Sequence, residues 1–376
     1  MRGCKGGVAV GRWMWMLMPV GLVGYALSYA HANHVLLFAL TGIGLVPLAA
    51  LIGAATEELA YRVGSAAGGL LNASFGNVPE LVIGGLALHN GLVALAQATV
   101  IGSVIGNASL VVGMSLFYGG IRNGIQHFDR EKVGHHAVLM VLAVASLALP
   151  TLFTARAPRG NEQALSVFVA CLLIVTYLAY LLYEIGGFRG GREADPSDAF
   201  MTETEAAVTE LVKEDHGPSW SWQASSIALA VATLFVALEG QVLVDSVVPV
   251  TRSLHMSQLF VGLIIIPILG NVPEHFSAVQ LAGRNKMDLS FAIAAGSAIQ
   301  VAVFVAPVLV LLSFFWHPMT LVFNPIEIAV LALVVAIFFF VAQDGESNWL
   351  EGLQMMTLYV MAAAVFYFLQ SPLAAA

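Results

Sequence analysis

The sequence predicts an all-α integral membrane protein of eleven transmembrane helices, ten of them arranged as two inverted five-helix repeats. Three observations carry that prediction. Of the 376 residues, 59% are hydrophobic and only 10% are charged, with a mean hydropathy of +0.86. Soluble domains carry about 25% charged residues, so lipid must be the solvent for most of this surface. Apolar runs of about 20 residues, enough to cross a bilayer, recur along the whole chain. They do not alternate as barrel strands do. Finally, one pentapeptide occurs twice.

The expected spans fall near 13–30, 34–56, 67–88, 92–117, 134–155, 163–186, 222–250, 258–282, 288–316, 325–342 and 353–371. Arg2, Lys5 and Arg12 precede the first, and Ala30-His31-Ala32 after it has the small-residue pattern of a signal-peptidase site. Cleavage there would leave the later spans as they are. With the N-terminus in the cytoplasm, twelve of the fifteen Lys and Arg residues fall on the cytoplasmic side. The positive-inside rule therefore places the N-terminus in the cytoplasm and the C-terminus outside.

Four regions follow: an N-terminal segment and first helix (1–33), a first repeat (34–186), an acidic cytosolic connector (187–221) and a second repeat (222–376). Within 193–215 of the connector, Lys213 is the single basic residue among eight Asp and Glu. Thr202 and Glu205 have capping-box spacing, which suggests a short surface helix. A solvated linker explains this stretch; an element that attracts cations is the sharper reading. Cys4 and Cys171 are too few and too far apart for a disulfide framework or a zinc site. No phosphate loop, hydrolytic triad, HExxH or nucleic-acid-binding patch is found. Nothing indicates a bound cofactor or a nucleic-acid partner; a metal-dependent intramembrane enzyme stays as the less favoured alternative, since the motifs it would need are not found.

Gly76-Asn77-Val78-Pro79-Glu80 recurs as Gly270-Asn271-Val272-Pro273-Glu274, 194 residues later. At the same offset Gly102-Ser103 recurs as Gly296-Ser297. A five-residue identity with a second matched pair points to duplication. Each half holds five spans, and an odd number makes the second half enter from the opposite side. That is the inverted repeat of secondary transporters.

Glu80 and Glu274 lie inside apolar spans, where a carboxylate costs several kcal/mol and commonly marks an ion path. Neither span contains Lys or Arg. Pro79 and Pro273 free the carbonyls of Phe75 and Leu269. They also push Val78 and Val272 away from helical geometry. Interrupted backbone at membrane depth survives only where it lines a cavity or is buried in protein. Freed carbonyls plus carboxylates are oxygen ligands suited to hard cations such as Ca²⁺. Asn77 and Asn271 share a helix face with the glutamates; their amides could coordinate an ion or brace the broken turn. Ser103 and Ser297 could allow close helix packing or supply a hydroxyl to the site. Four residues after each Gly the halves differ, with Gly106-Asn107 in one and Gln300 in the other; these polar side chains are candidate extra ligands.

Two carboxylates close together in a low-dielectric site are costly to keep ionised with nothing between them. One Ca²⁺ neutralises the pair, and so do two protons. Three further acids are candidate accessory groups. Glu57 and Glu58 sit at the cytoplasmic end of the second span, as a solvated helix end or a cation-capturing mouth. Glu239 lies inside the seventh span, as a third proton carrier or a vestibule ligand.

The paired GNVPE motifs, the five-plus-five spans, the extra first helix and the acidic connector together resemble the cation/proton exchanger branch of the calcium/cation antiporter superfamily. The resemblance spans about residues 34–371. It implies ten core helices in two inverted halves, like the sodium/calcium exchanger fold, and exchange of cytosolic Ca²⁺ or a related divalent ion for H⁺ by alternating access. By the same resemblance Glu80 and Glu274 bind the cation and take the protons, Gln300 fits the proton-coupled branch, members form homo-oligomers, and the connector regulates or gates. The short N-terminal segment resembles prokaryotic members, which implies an inner (plasma) membrane. The sequence-level rival is Na⁺-coupled calcium exchange. The physiological divalent ion and the proton stoichiometry stay open at this stage.

Overall fold

A computed structural model describes residues 12–63, 71, 74–154, 161–186 and 220–369. The acidic connector from 187 to 219, with its Thr202–Glu205 cap, lies outside the described residues, as do Cys4 and residues 1–11. The described chain is almost wholly helical. In order come α1 (Arg12–Ser28), α2 (His34–Val63), α3 (Val78–His89), α4 (Val93–Asn123), α5 (Arg130–Thr154) and α6 (Glu162–Gly186). Then follow α7 (Trp222–Leu254), α8 (Gln258–Gly270), α9 (Val272–Gly283), α10 (Met287–Phe315), α11 (Pro325–Asp344) and α12 (Trp349–Phe368). Two two-residue strands, β1 (Gln126–His127) and β2 (Glu346–Ser347), pair antiparallel and tie the α4–α5 connection to the α11–α12 connection.

Among the described residues, eight helices are long and apolar enough to cross a membrane, or nine when α8 and α9 count as one span bent by 61°. Two more apolar helices, Met16–Ser28 and Val78–His89, are shorter. They occupy the first and third of the eleven expected spans. The third is short because its described helix starts only at Val78, immediately after the Gly-Asn break, and residues 64–70, 72 and 73 are outside the description.

The helix ends show why the chain breaks where it does. α3 and α9 are both twelve residues long, and each begins with Asn as N-cap and Pro in its first turn. Proline fixes φ and has no N–H to lose at that position. The caps are near-identical, with φ −97° and ψ 18° at Asn77 and φ −103° and ψ 14° at Asn271. Elsewhere, Ser221 accepts from the Ala224 N–H at the start of α7, and Asn324 with Glu327 forms a reciprocal capping box on α11.

The packing sorts the helices into layers. α4 is buried along most of its length, whereas α6 and α12 leave most of theirs outside the protein core. Large apolar side chains on the outer faces, among them Phe168, Phe315, Phe340 and Phe368, are exposed as lipid-facing residues are. α2 and α7 run side by side, and α1 packs on α2. Behind them α9, α10 and α12 pack around α4. α4 and α8 cross closely: a Cβ at Gly102 would collide with the Leu263 backbone, and one at Gly262 would sit 2.7 Å from the Ala98 methyl. Small residues at such crossings let membrane helices approach backbone to backbone.

Candidate cation-binding site

The two motif breaks meet in the interior. Glu80 and Glu274 each stand in the first turn of their helix, α3 and α9. The Glu80 Oε1 lies against the Cα of Gly270, where an added Cβ would be 3.5 Å away. The first carboxylate is thus cradled by the second motif. Each also sits at the positive end of a helix dipole, which favours negative charge there.

Asn271 ties the halves together. Its Nδ2 donates to the Pro267 carbonyl at 2.9 Å and to Ser103 Oγ at 3.3 Å. Its Oδ1 accepts from Asn107 Nδ2 at 3.3 Å and from Ser297 Oγ at 3.4 Å. Asn107 Nδ2 also reaches Ser297 Oγ at 3.0 Å. The Pro267 bond braces the turn that Pro273 breaks, and the remaining bonds fix side chains from α4 and α10. Asn77 makes a different link, donating from Nδ2 to Gln300 Oε1 at 2.8 Å. Both serines and Gln300 therefore touch the motif asparagines, and all seven residues expected at the site are brought together.

Two wide turns shape the lining. α4 widens to a π-turn over Gly106–Val111, which carries Asn107, and α10 widens over Val301–Val305, immediately after Gln300. Such turns insert one residue into a helix and are frequent at functional sites. These two fall at corresponding places in the two halves, and α8 carries a third over Val261–Ile265. Asn107, named from sequence as a candidate extra ligand, is fully buried in the first turn. Its signal was the adjacent Gly106 in an otherwise apolar run.

Three acceptor oxygens in this region are buried and have no hydrogen-bond donor: Glu80 Oε2, Glu274 Oε2 and Asn107 Oδ1. An unpaired buried acceptor costs about 1–3 kcal/mol. Two carboxylates, amide oxygens and hydroxyls form an all-oxygen donor set, the kind hard divalent cations take. Among the described residues no group of three or more His, Cys, Asp and Glu stands together.

The accessory acids separate. Glu57 lies on the C-terminal half of α2 and is half-buried. Glu58 Oε2 accepts from the Trp220 N–H at 3.3 Å, and Arg62 donates to the Trp220 carbonyl, so this end of α2 is pinned to the start of α7. Glu239 is turned away. It is buried where α1, α2 and α7 cross, and no charged group of the pair acts on it.

With this geometry in place, comparison with known proteins is decisive. The family described as sodium/calcium exchanger protein matches residues 33–186 and 224–368. The chain belongs to that family. The two matched stretches leave residues 187–223 between them. A Ca(2+)/H(+) antiporter of Aphanothece halophytica is 39% identical, covering 94% of this chain and 95% of that protein. The Ca(2+)/H(+) antiporter ChaA of Bacillus subtilis is 36% identical, covering 94% and 97%. Among solved structures, native YfkE superposes with a TM-score of 0.79 at 32% identity, covering 95% of this chain and all of that one. The H+/Ca2+ exchanger CAX shares the fold, with a TM-score of 0.67 at 16% identity over 95% of this chain and 92% of that one.

Proposed function

We propose that this family member is a secondary antiporter that exchanges Ca²⁺ for H⁺ through one site built on Glu80 and Glu274. The observation that carries this reading is the meeting of two identical motif breaks, each bringing one carboxylate, with three donor-less buried oxygens between them. Family membership and full-length relatives named as Ca(2+)/H(+) antiporters support it.

In this reading Glu80 and Glu274 bind the cation. Asn271 and Asn77 hold the broken turns and, with Ser103, Ser297, Asn107 and Gln300, supply neutral oxygens. Ca²⁺ or two protons neutralise the pair; the doubly ionised, unliganded pair is the costly state. If access changes only when the pair is neutral, the two ions exchange without leak. α2 and α7 line the approach, and their sliding past the motif helices would alternate access. Glu57 raises the local cation concentration on one side.

The finer architecture belongs to the same proposal. Eleven spans are reached if α1, α3 with the residues before it, and the α8–α9 pair each cross once. α3 and α9 start 194 residues apart, as do α4 and α10, which favours duplication. The Lys and Arg asymmetry over eleven spans favours the N-terminus in the cytoplasm, the C-terminus outside and the 187–221 connector in the cytosol. Repeats over 34–186 and 222–376 follow the matched stretches. The relatives from Aphanothece halophytica and Bacillus subtilis favour a prokaryotic inner membrane, and a homo-oligomer follows the family resemblance.

Calcium uptake into proteoliposomes, driven by an imposed pH gradient with and without sodium, tests the reading. The expected result is sodium-independent uptake that follows the gradient and disappears in Glu274→Gln. Uptake that requires sodium would move the chain to sodium-coupled exchange. Absence of divalent transport by folded protein would overturn the proposal.

A further inference from the structure

Glu239 stands midway along α7 with 1% of its surface exposed, and its Oε2 has no hydrogen-bond donor. Its carboxylate is wedged between two glycines. A Cβ at Gly21 of α1 would collide with it, and so would a Cβ at Gly44 of α2. The same Gly44 position abuts the backbone of Gly21, and Gly24, one turn on, packs on Leu40 and Thr41. The α1–α2 crossing is therefore closed around this one carboxyl.

The group faces away from the Glu80/Glu274 site. Gly240, the next residue and about 100° round the helix, packs toward Ile83 and Leu86 of α3. On α2, Gly42 packs on Leu269 of α8, while Gly44, about 200° further round, meets α1 and Glu239. The titratable groups on the surrounding elements are not its partners. On α1, the Tyr25 hydroxyl is engaged with Tyr29 at 2.8 Å. α2 carries His34 near one end and Glu57, Glu58 and Arg62 toward the other; α3 carries Glu80 and His89. On α7, Asp245 accepts from Asn90 and Gln241, each at 2.8 Å, and Arg252 lies in the last turn. Among the described residues none of these forms a hydrogen bond or ion pair with Glu239.

An ionised carboxylate whose buried Oε2 has no donor is costly at such a crossing. A neutral carboxyl fits between two glycine backbones. We propose that Glu239 is a second proton-binding site, separate from the transport pair, whose neutral carboxyl seats α1 on the α2–α7 pair. When the proton leaves, the carboxylate needs water, and the element that can yield is α1, the outermost of the three helices. Proton occupancy at Glu239 thereby sets whether α1 braces the two helices that line the cation approach. The inference rests on the helix crossing and not on the identity of the transported ion.

Hydrogen exchange of residues 16–28 in calcium-free lipid nanodiscs, at about pH 6 and about pH 9 with times corrected for the chemical rate, tests it. Wild type is expected to lose protection of α1 by about tenfold at the higher pH. Glu239→Gln should hold protection at both, and Glu80→Gln should behave as wild type. Glu239→Met serves as a second neutral side chain if the glutamine variant does not fold. Equal wild-type protection at both pH values, or a neutral variant that loses protection as wild type does, would overturn the proposal.

Discussion

The two motif breaks share five residues and near-identical cap angles, yet they are held differently. Among described side chains, Asn271 gathers Ser103, Asn107 and Ser297 around itself. Asn77 joins Gln300. The difference arises outside the motif, where one half has Gly106-Asn107 in a π-turn and the other has Gln300 just before one. Duplication supplies the two carboxylates and breaks; divergence four or five residues past each Gly-Ser pair decides which asparagine becomes the knot. A site made from two identical cradles would bind equally from both sides. An unequal one lets one half hold while the other yields.

The largest effect should come from untying the knot. Asn271→Ala is expected to reduce calcium exchange roughly 100-fold, against about tenfold for Asn77→Ala, because ligand-orienting partners carry effects of that size. Equal losses in proteoliposome uptake would mean that the two halves hold the ion alike. A smaller effect is expected from Asn107→Ala, which removes a donor-less buried oxygen. It should weaken equilibrium Ca²⁺ binding by about tenfold, measured by calorimetry. Unchanged affinity would take Asn107 out of the coordination shell. Glu57→Gln should have the mildest consequence. The half-saturating calcium concentration should rise about threefold at low salt with the maximal rate preserved, and the difference should fade at high ionic strength, since steering by surface charge is screened. A salt-independent loss of maximal rate would instead place Glu57 in the exchange step.

Much of this was legible in the sequence for a physical reason. Glutamate and proline in apolar runs are expensive, so Glu80, Pro79, Glu274 and Pro273 announce themselves without any structure. The 194-residue offset singled out Ser103 and Ser297, and the difference between the halves singled out Gln300; the structure gathers them at the motif asparagines. Which asparagine links the halves was not legible, because Asn77 and Asn271 have identical neighbours and their partners lie 168 and 223 residues away. The π-turns leave almost no trace, since one extra residue in an apolar helix changes no pattern that a window can register. Glu239 was visible as an intramembrane acid, but its direction was not. A third proton carrier beside the pair was one reading of it; the glycines that close on it come from α1 and α2, far away in the chain. The β1–β2 pairing, two residues a side, is too short for any strand signal.

Counting protons released when Ca²⁺ binds is the most direct measurement on the central claim that both ions use Glu80 and Glu274. Purified protein in weakly buffered solution near neutral pH, titrated with Ca²⁺, is expected to release up to about two protons per ion bound. The double variant Glu80→Gln, Glu274→Gln should neither bind nor release. Calcium binding without proton release, or the same release from the double variant, would contradict a shared site.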